Sequence, residues 1–320
     1  FNGIVEVVSE IELMDWKAQI DSLGISICPN SAVAVSGAMK LKNTGIITQV
    51  YNSLVYLFFS QLAVGGLLSL VMVPHSAGRS FFRFCGILSL LLLILGILAG
   101  PYSLSLLRGP FDGRSTSLLL LALSGVTALL FVAAVISERQ PAQKPMLTVS
   151  CLLGLAGIVL DGYHSLNPST PSWGQLLTAL YFLVSALFLG SVIYSMILGH
   201  WYLVVPSLPI SPLKSLTFLM IASIVAKILL ACITLYLFWI WGDVDQKATL
   251  SSFTGIGGFF LWARVIFGFF GPLVVSLMTW EAVKINSTQS ATGLLYVATI
   301  FAIIGEILSK HIFHTNAMPI

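Results

Sequence analysis

Four ionisable residues stand inside stretches that are otherwise apolar: Asp161, Lys227, Arg264 and Glu306. An ionisable group at mid-membrane costs about 2.5–3.5 kcal/mol on insertion scales, so each should face protein and find a partner. Lys227 and Arg264 fall near the middle of their apolar runs, and Asp161 falls near the end of one. Glu306 lies about two turns from the end of the last run. Opposite charge pairs Glu306 with Arg264 or Lys227. An intramembrane network of this kind serves either as a proton path and polar pocket wall, or as an internal salt bridge that ties helices together. The residue types alone leave both readings open.

A second group sits beside Asp161, in "LDGYHSLNPSTPSWG". Tyr163 and His164 follow it within one helical turn. A quinone head group needs a donor at each carbonyl and a proton route, and these three residues supply those types. The same residues would also serve as an interfacial belt and helix cap. Tyr102 and Arg108 are further candidate contacts, because helix alternation places them on the same side.

The histidines His75, His164, His200, His311 and His314 all fall at the ends of apolar runs. A b-type haem buried in a membrane is usually held by facing histidines at matching depth, so no haem is expected. His200 opens "GHWYLVVPSLPISP", where Trp201 and Tyr202 precede three prolines. Trp and Tyr gather where one end of the ring is apolar and the other wet. The stretch therefore reads as an interfacial belt that ends one helix, followed by a stiff connection. Cys28, Cys85, Cys151 and Cys232 lie far apart and form no metal-ligand spacing, which argues against zinc or iron–sulfur binding by this chain.

The elements that must position these residues are membrane spans. Of 320 residues, 57% are hydrophobic and 8% charged, against about 25% charged in a soluble domain. The formal charge of +3 provides no basic surface for nucleic acid. A transmembrane helix needs ~20 apolar residues, and eight such runs occur: 50–73, 81–101, 116–136, 146–164, 174–198, 213–241, 253–281 and 289–313. The expected fold is an all-α integral membrane bundle of eight transmembrane helices over 50–320, with both termini on one side. Residues 1–49 form a polar tail in which "VEVVSEIELMDWKAQI" has the composition of a surface helix. We call side A the face holding the tail and the loops near 108, 167 and 245; side B holds the loops near 78, 141, 206 and 285. Lysines and arginines near the helices divide evenly, so the positive-inside rule selects no orientation. The absence of an internal repeat argues against a transporter.

Three segments carry a resemblance. The first span reads "YLFFSQLAVGGLLSLVMV", with Gln61 before Gly65 and Gly66. A tyrosine and then a Pro-x-Trp, at Tyr163, Pro171 and Trp173, precede the fifth span, and "GEILSKHIF", with Gly305, Glu306 and Phe313, closes the last. In this order they resemble the membrane-anchor subunit of dimethyl-sulfoxide-reductase-type complexes, within the NrfD/polysulfide-reductase-like group. The resemblance implies a haem-free subunit of a prokaryotic cytoplasmic membrane. Such a subunit binds an iron–sulfur partner and a molybdopterin-type catalytic partner, and exchanges electrons with a membrane quinone. Its redox chemistry then belongs to quinone and partners. The alternative is a purely structural membrane subunit of a larger assembly. The chain departs from the family in the second connection, "GPYSLSLLRGPFDGRS", which has no histidine, in a third span without an acid, and in Lys310, where the family usually has arginine.

Overall fold

The computed structural model describes residues 46–74, 77–100, 113–166, 170–205, 208–241 and 258–320. The tail reading for 1–49 falls almost wholly outside them, as do Tyr102, Arg108, Asp112 and His75. The helices are α1 Ile46–Met72, α2 Arg79–Ala99, α3 Gly113–Ile136, α4 Gln140–His164, α5 Ser172–Val204, α6 Ser211–Trp241, α7 Gly258–Lys284 and α8 Thr288–Asn316. All eight are long and apolar enough to cross a membrane, and there is no strand among the described residues. The chain is an all-α integral membrane protein. An even number of spans returns it to the face on which it entered. Leu54–Ile320 forms one unit, separate from Phe1–Ser53.

Several helices overrun the apolar runs that predict them, because apolarity marks the lipid and not the helix end. α4 starts at Gln140, with Pro141 in its first turn, where a missing N–H costs nothing. α5 continues through "GHWYLV" to Val204 and does not stop before it. The stretch thus forms about the last turn and a half of α5, and the helix limit expected at 198 moves to Val204. His200 is exposed, with Nδ1 3.0 Å from the Tyr296 hydroxyl. Trp201 instead packs edge-on against Phe81 of α2. Tyr202 is buried and its hydroxyl donates to the Pro209 carbonyl at 2.5 Å, pinning the proline turn to the helix it follows. The exposed aromatics gather elsewhere, at Tyr236, Trp239 and Trp241 on α6 and Phe259 and Trp262 on α7.

α1 and α5 are the inner helices, with 67% of their spans buried against 28–44% for the others. They meet at Gly65 and Gly190, backbone against backbone. A Cβ on Gly65 would strike the Ala186 carbonyl, and one on Gly190 would strike Gly65 itself. Small residues permit this approach, and in lipid close packing replaces the hydrophobic drive between helices. α3 and α4 pack along an extensive face. There Ser124 Oγ donates to the Ser150 carbonyl and Ser150 Oγ to the Ser124 carbonyl, each at 2.7 Å. Other buried hydroxyls, Ser69 among them, donate to the carbonyl one turn back, here Gly65 at 2.9 Å, and so satisfy the donor within their own helix.

α7 is not uniform. Arg264–Phe270 is a π-helical turn between Gly258–Ala263 and Gly271–Lys284, and the Gly271 N–H bonds back to the Ile266 carbonyl. Pro272 follows at once. Its ring would clash with the carbonyl four residues earlier in a straight α-helix, and the wider turn relieves this.

Candidate functional site

Lys227 from α6, Arg264 from the first residue of the π turn, and Glu306 with Lys310 from α8 meet in the bundle interior. All are 0% exposed except Lys310 at 4%. Glu306 uses both oxygens. Oε1 accepts from the Lys227 ammonium, with Arg264 Nη2 3.7 Å away, and Oε2 accepts from Lys310 at 2.9 Å. Arg264 Nη2 donates to the Tyr181 hydroxyl of α5 at 2.7 Å. That hydroxyl lies 3.2 Å from Ser309 Oγ, which donates to the Ile320 carbonyl at 2.7 Å.

Three cations therefore surround one carboxylate, and aromatic faces cover what charge does not. Lys227 Nζ lies 4.9 Å from the Tyr181 ring centre, Arg264 stacks on Phe269 at 4.4 Å, and Lys310 Nζ lies 5.8 Å from Phe58. A cation over a desolvated ring gains about 2 kcal/mol. The guanidinium also depends on what is missing. A Cβ on Gly268 would run into the guanidinium, and one on Gly305 would strike the Gly268 backbone first, with the guanidinium just beyond, so the glycine beside Glu306 lets α8 lie against the π turn that carries Arg264. Sequence reasoning left Lys310 out of this network, although it stands four residues after Glu306, on the same helix face. No comparable signal marks Tyr181 or Ser309.

Tyr181→Phe should lower the unfolding midpoint of the detergent-solubilised protein. It leaves a buried guanidinium without its hydroxyl acceptor, a loss of about 1–3 kcal/mol. Tyr163→Phe, at a ring 37% exposed, should leave the midpoint where it is.

The second group lies at the C-terminal end of α4. Arg114 of α3 donates through Nε to the His164 carbonyl at 3.0 Å and through Nη2 to the Ser165 carbonyl at 3.4 Å, closing the end of α4 with a cation. Arg114 also stands beside the Asp161 carboxylate, which the Ser117 and Tyr56 hydroxyls face as well. The His164 imidazole fills the space over Gly113, where a Cβ would collide with it. Asp161 and His164, three residues apart, thus share the face turned to α3. Tyr163 lies between them in sequence and outward in space, its ring edge-on to His164 at 5.2 Å. The structure joins Asp161 and His164 through Arg114 and sets Tyr163 at the rim. Of the other histidines, His311 lies against Phe260, and His314 against Phe313.

No family model matches the chain. A 46-residue stretch, 14% of this chain, is 52% identical to "Threonine synthase 2, chloroplastic" of Arabidopsis thaliana. The chain spans only 9% of that protein's length, a segment shorter than a folding domain, so the match shows no family.

Proposed function

We propose that the chain is the membrane-anchor subunit of a respiratory-type oxidoreductase complex. In this reading it holds an iron–sulfur subunit and a molybdopterin-type catalytic subunit on side A of a prokaryotic cytoplasmic membrane, and passes electrons between them and a quinone. The observation that carries the reading is the role of the resembling residues in the bundle. Glu306, in the closing motif of the resemblance, is the centre of the charge cluster, with Gly305 beside it, and Gly65 brings α1 against the α5 backbone. The motifs are thus structural keys to an eight-helix bundle of this kind. The electron-exchange part rests on Asp161, His164 and Arg114, a carboxylate, an imidazole and a fixed cation at the membrane surface. These are the donor and proton-exchange types that quinone chemistry uses. Tyr102 and Arg108 belong to the same proposed site through their place on side A, in the connection after the second span.

A purely structural subunit is the second reading. It is favoured by the engagement of Arg114 with the end of α4 and by the missing histidine and acid in the second connection and third span.

The decisive experiment is purification of the tagged chain from its native membrane, followed by quinol-coupled turnover of whatever assembles with it. An iron–sulfur protein should co-purify. Asp161→Asn and His164→Ala should lower turnover about 100-fold, the lower range for losing a general acid or base, with the partner still bound. Full turnover in both variants with a bound partner would leave the structural reading. Absence of an iron–sulfur partner would remove the anchor reading itself.

A further inference from the structure

Far from the charge cluster, the bundle opens at the side-B ends of α1 to α4. Two cavities lie there side by side, of about 600 Å³ and 440 Å³, and share Phe82, Gln143 and Lys144, so they form one cleft. The cleft has two characters. The larger chamber has a polar mouth with Arg79, Glu138 and Gln140. The smaller is apolar, between Leu70 and Val71 of α1, Phe131 of α3 and Leu147 of α4. Val71 and Met72 on its wall are 44% and 40% exposed, so this chamber opens sideways, toward the region where acyl chains lie.

The charged residues of the mouth are Arg79, Glu138 and Lys144, a net positive set. Arg79 is fully engaged: it pairs with Glu138 and donates to the Val135 carbonyl at 2.9 Å and the Ile136 carbonyl at 2.7 Å, closing the end of α3. Arg83, Arg139 and Lys144 are exposed and, among the described residues, enter no ion pair. Lys144 lines both chambers, and Arg83 and Arg139 are chain neighbours of the lining residues Phe82, Glu138 and Gln140, so unpaired cations border a cleft whose depth is apolar.

We propose that this cleft is a binding site for an anionic phospholipid, with the phosphate at Lys144, the neighbouring Arg139 adding positive charge at the mouth, and an acyl chain in the Leu70–Leu147 chamber. The volume falls within the range of sites that enclose a small molecule. A soluble anion has no use for the apolar chamber, and a neutral quinone would accept the hydrogen bonds but leave the positive charge uncompensated. A second copy of the chain would bring like charge against like.

The test uses the full chain in vesicles of equal parts phosphatidylglycerol and phosphatidylcholine, solubilised gently, with retained lipid identified by native mass spectrometry. A lysine or arginine near a membrane surface contributes about a fivefold preference for an anionic lipid. Phosphatidylglycerol should therefore be retained at least about fivefold over phosphatidylcholine. The double variant Arg139→Glu, Lys144→Glu should bring the ratio near one. Lys284→Glu, on the same side at the end of α7, should leave it unchanged. Thr148→Trp, which fills the apolar chamber, should lower retention of both lipids. Glycerol 3-phosphate in excess should not displace the lipid; displacement would show a site for soluble anions and overturn the proposal. Equal retention of the two lipids by the unmodified chain would also overturn it, independently of whether any variant folds.

Discussion

Glu306→Ala is expected to remove most of the folded protein from the membrane. The carboxylate is the single anion among Lys227, Arg264 and Lys310, and none of the four groups reaches solvent to any extent. Its removal leaves three cations facing one another in low dielectric. Breaking one partner from a buried pair costs about 3–5 kcal/mol, and a domain has only about 5–15 kcal/mol in total. The effect should be strongly asymmetric. Lys227→Met deletes one of three cations, fills the volume with an apolar chain, and leaves Glu306 bonded to Lys310 with Arg264 close by. It should accumulate at or above the level of the unmodified protein. Yield of monodisperse protein by size-exclusion chromatography, at matched expression, decides the matter. Similar yields from the two variants would show that charge balance does not hold the bundle together.

Gly65→Val should be nearly as damaging, for a steric reason. At this point α1 touches α5 through backbone alone, and the first added carbon already meets the Ala186 carbonyl. No side-chain rotation can relieve a backbone contact, so the two inner helices must separate along their length. Overpacking a core typically costs about 1–3 kcal/mol where neighbours can yield, and here they cannot, so the upper end or beyond is expected. Gly190→Val should behave in the same way from the other side. Gly293→Val on α8 is the control, because nothing lies within 4 Å of its Cβ position. Thermal unfolding in detergent should place the two inner variants far below the control. A shared midpoint would mean that α1 and α5 do not approach in the membrane as closely as Gly65 and Gly190 indicate.

The class and span count were legible from the sequence, because lipid imposes a rule that composition must obey. Each crossing needs about twenty apolar residues in a helix that satisfies its own backbone. The need for Glu306 to pair with Lys227 or Arg264 was legible for a related reason: a lone charge in lipid is costly, and few opposite charges were on offer. The limits of α4 and α5 were not legible. Helix ends are set by caps, prolines and neighbours, not by hydropathy, which is why "GHWYLV" continues α5 where its aromatics suggested an interface.

The structure alone decided how the pieces meet. Sequence order could not say that Tyr181 of α5 receives Arg264 of α7, or that Asp161 and His164 face Arg114 while Tyr163, between them, turns outward. Nor could it show that Gly268 is empty for the sake of a guanidinium and Gly305 for the sake of the backbone at Gly268. The physical reason is that apolar helices can pack against lipid and against each other almost equally well. Hydropathy therefore fixes that a helix crosses, while steric fit and the pairing of a few buried polar groups, contributed by residues distant in the chain, fix which helix lies beside it.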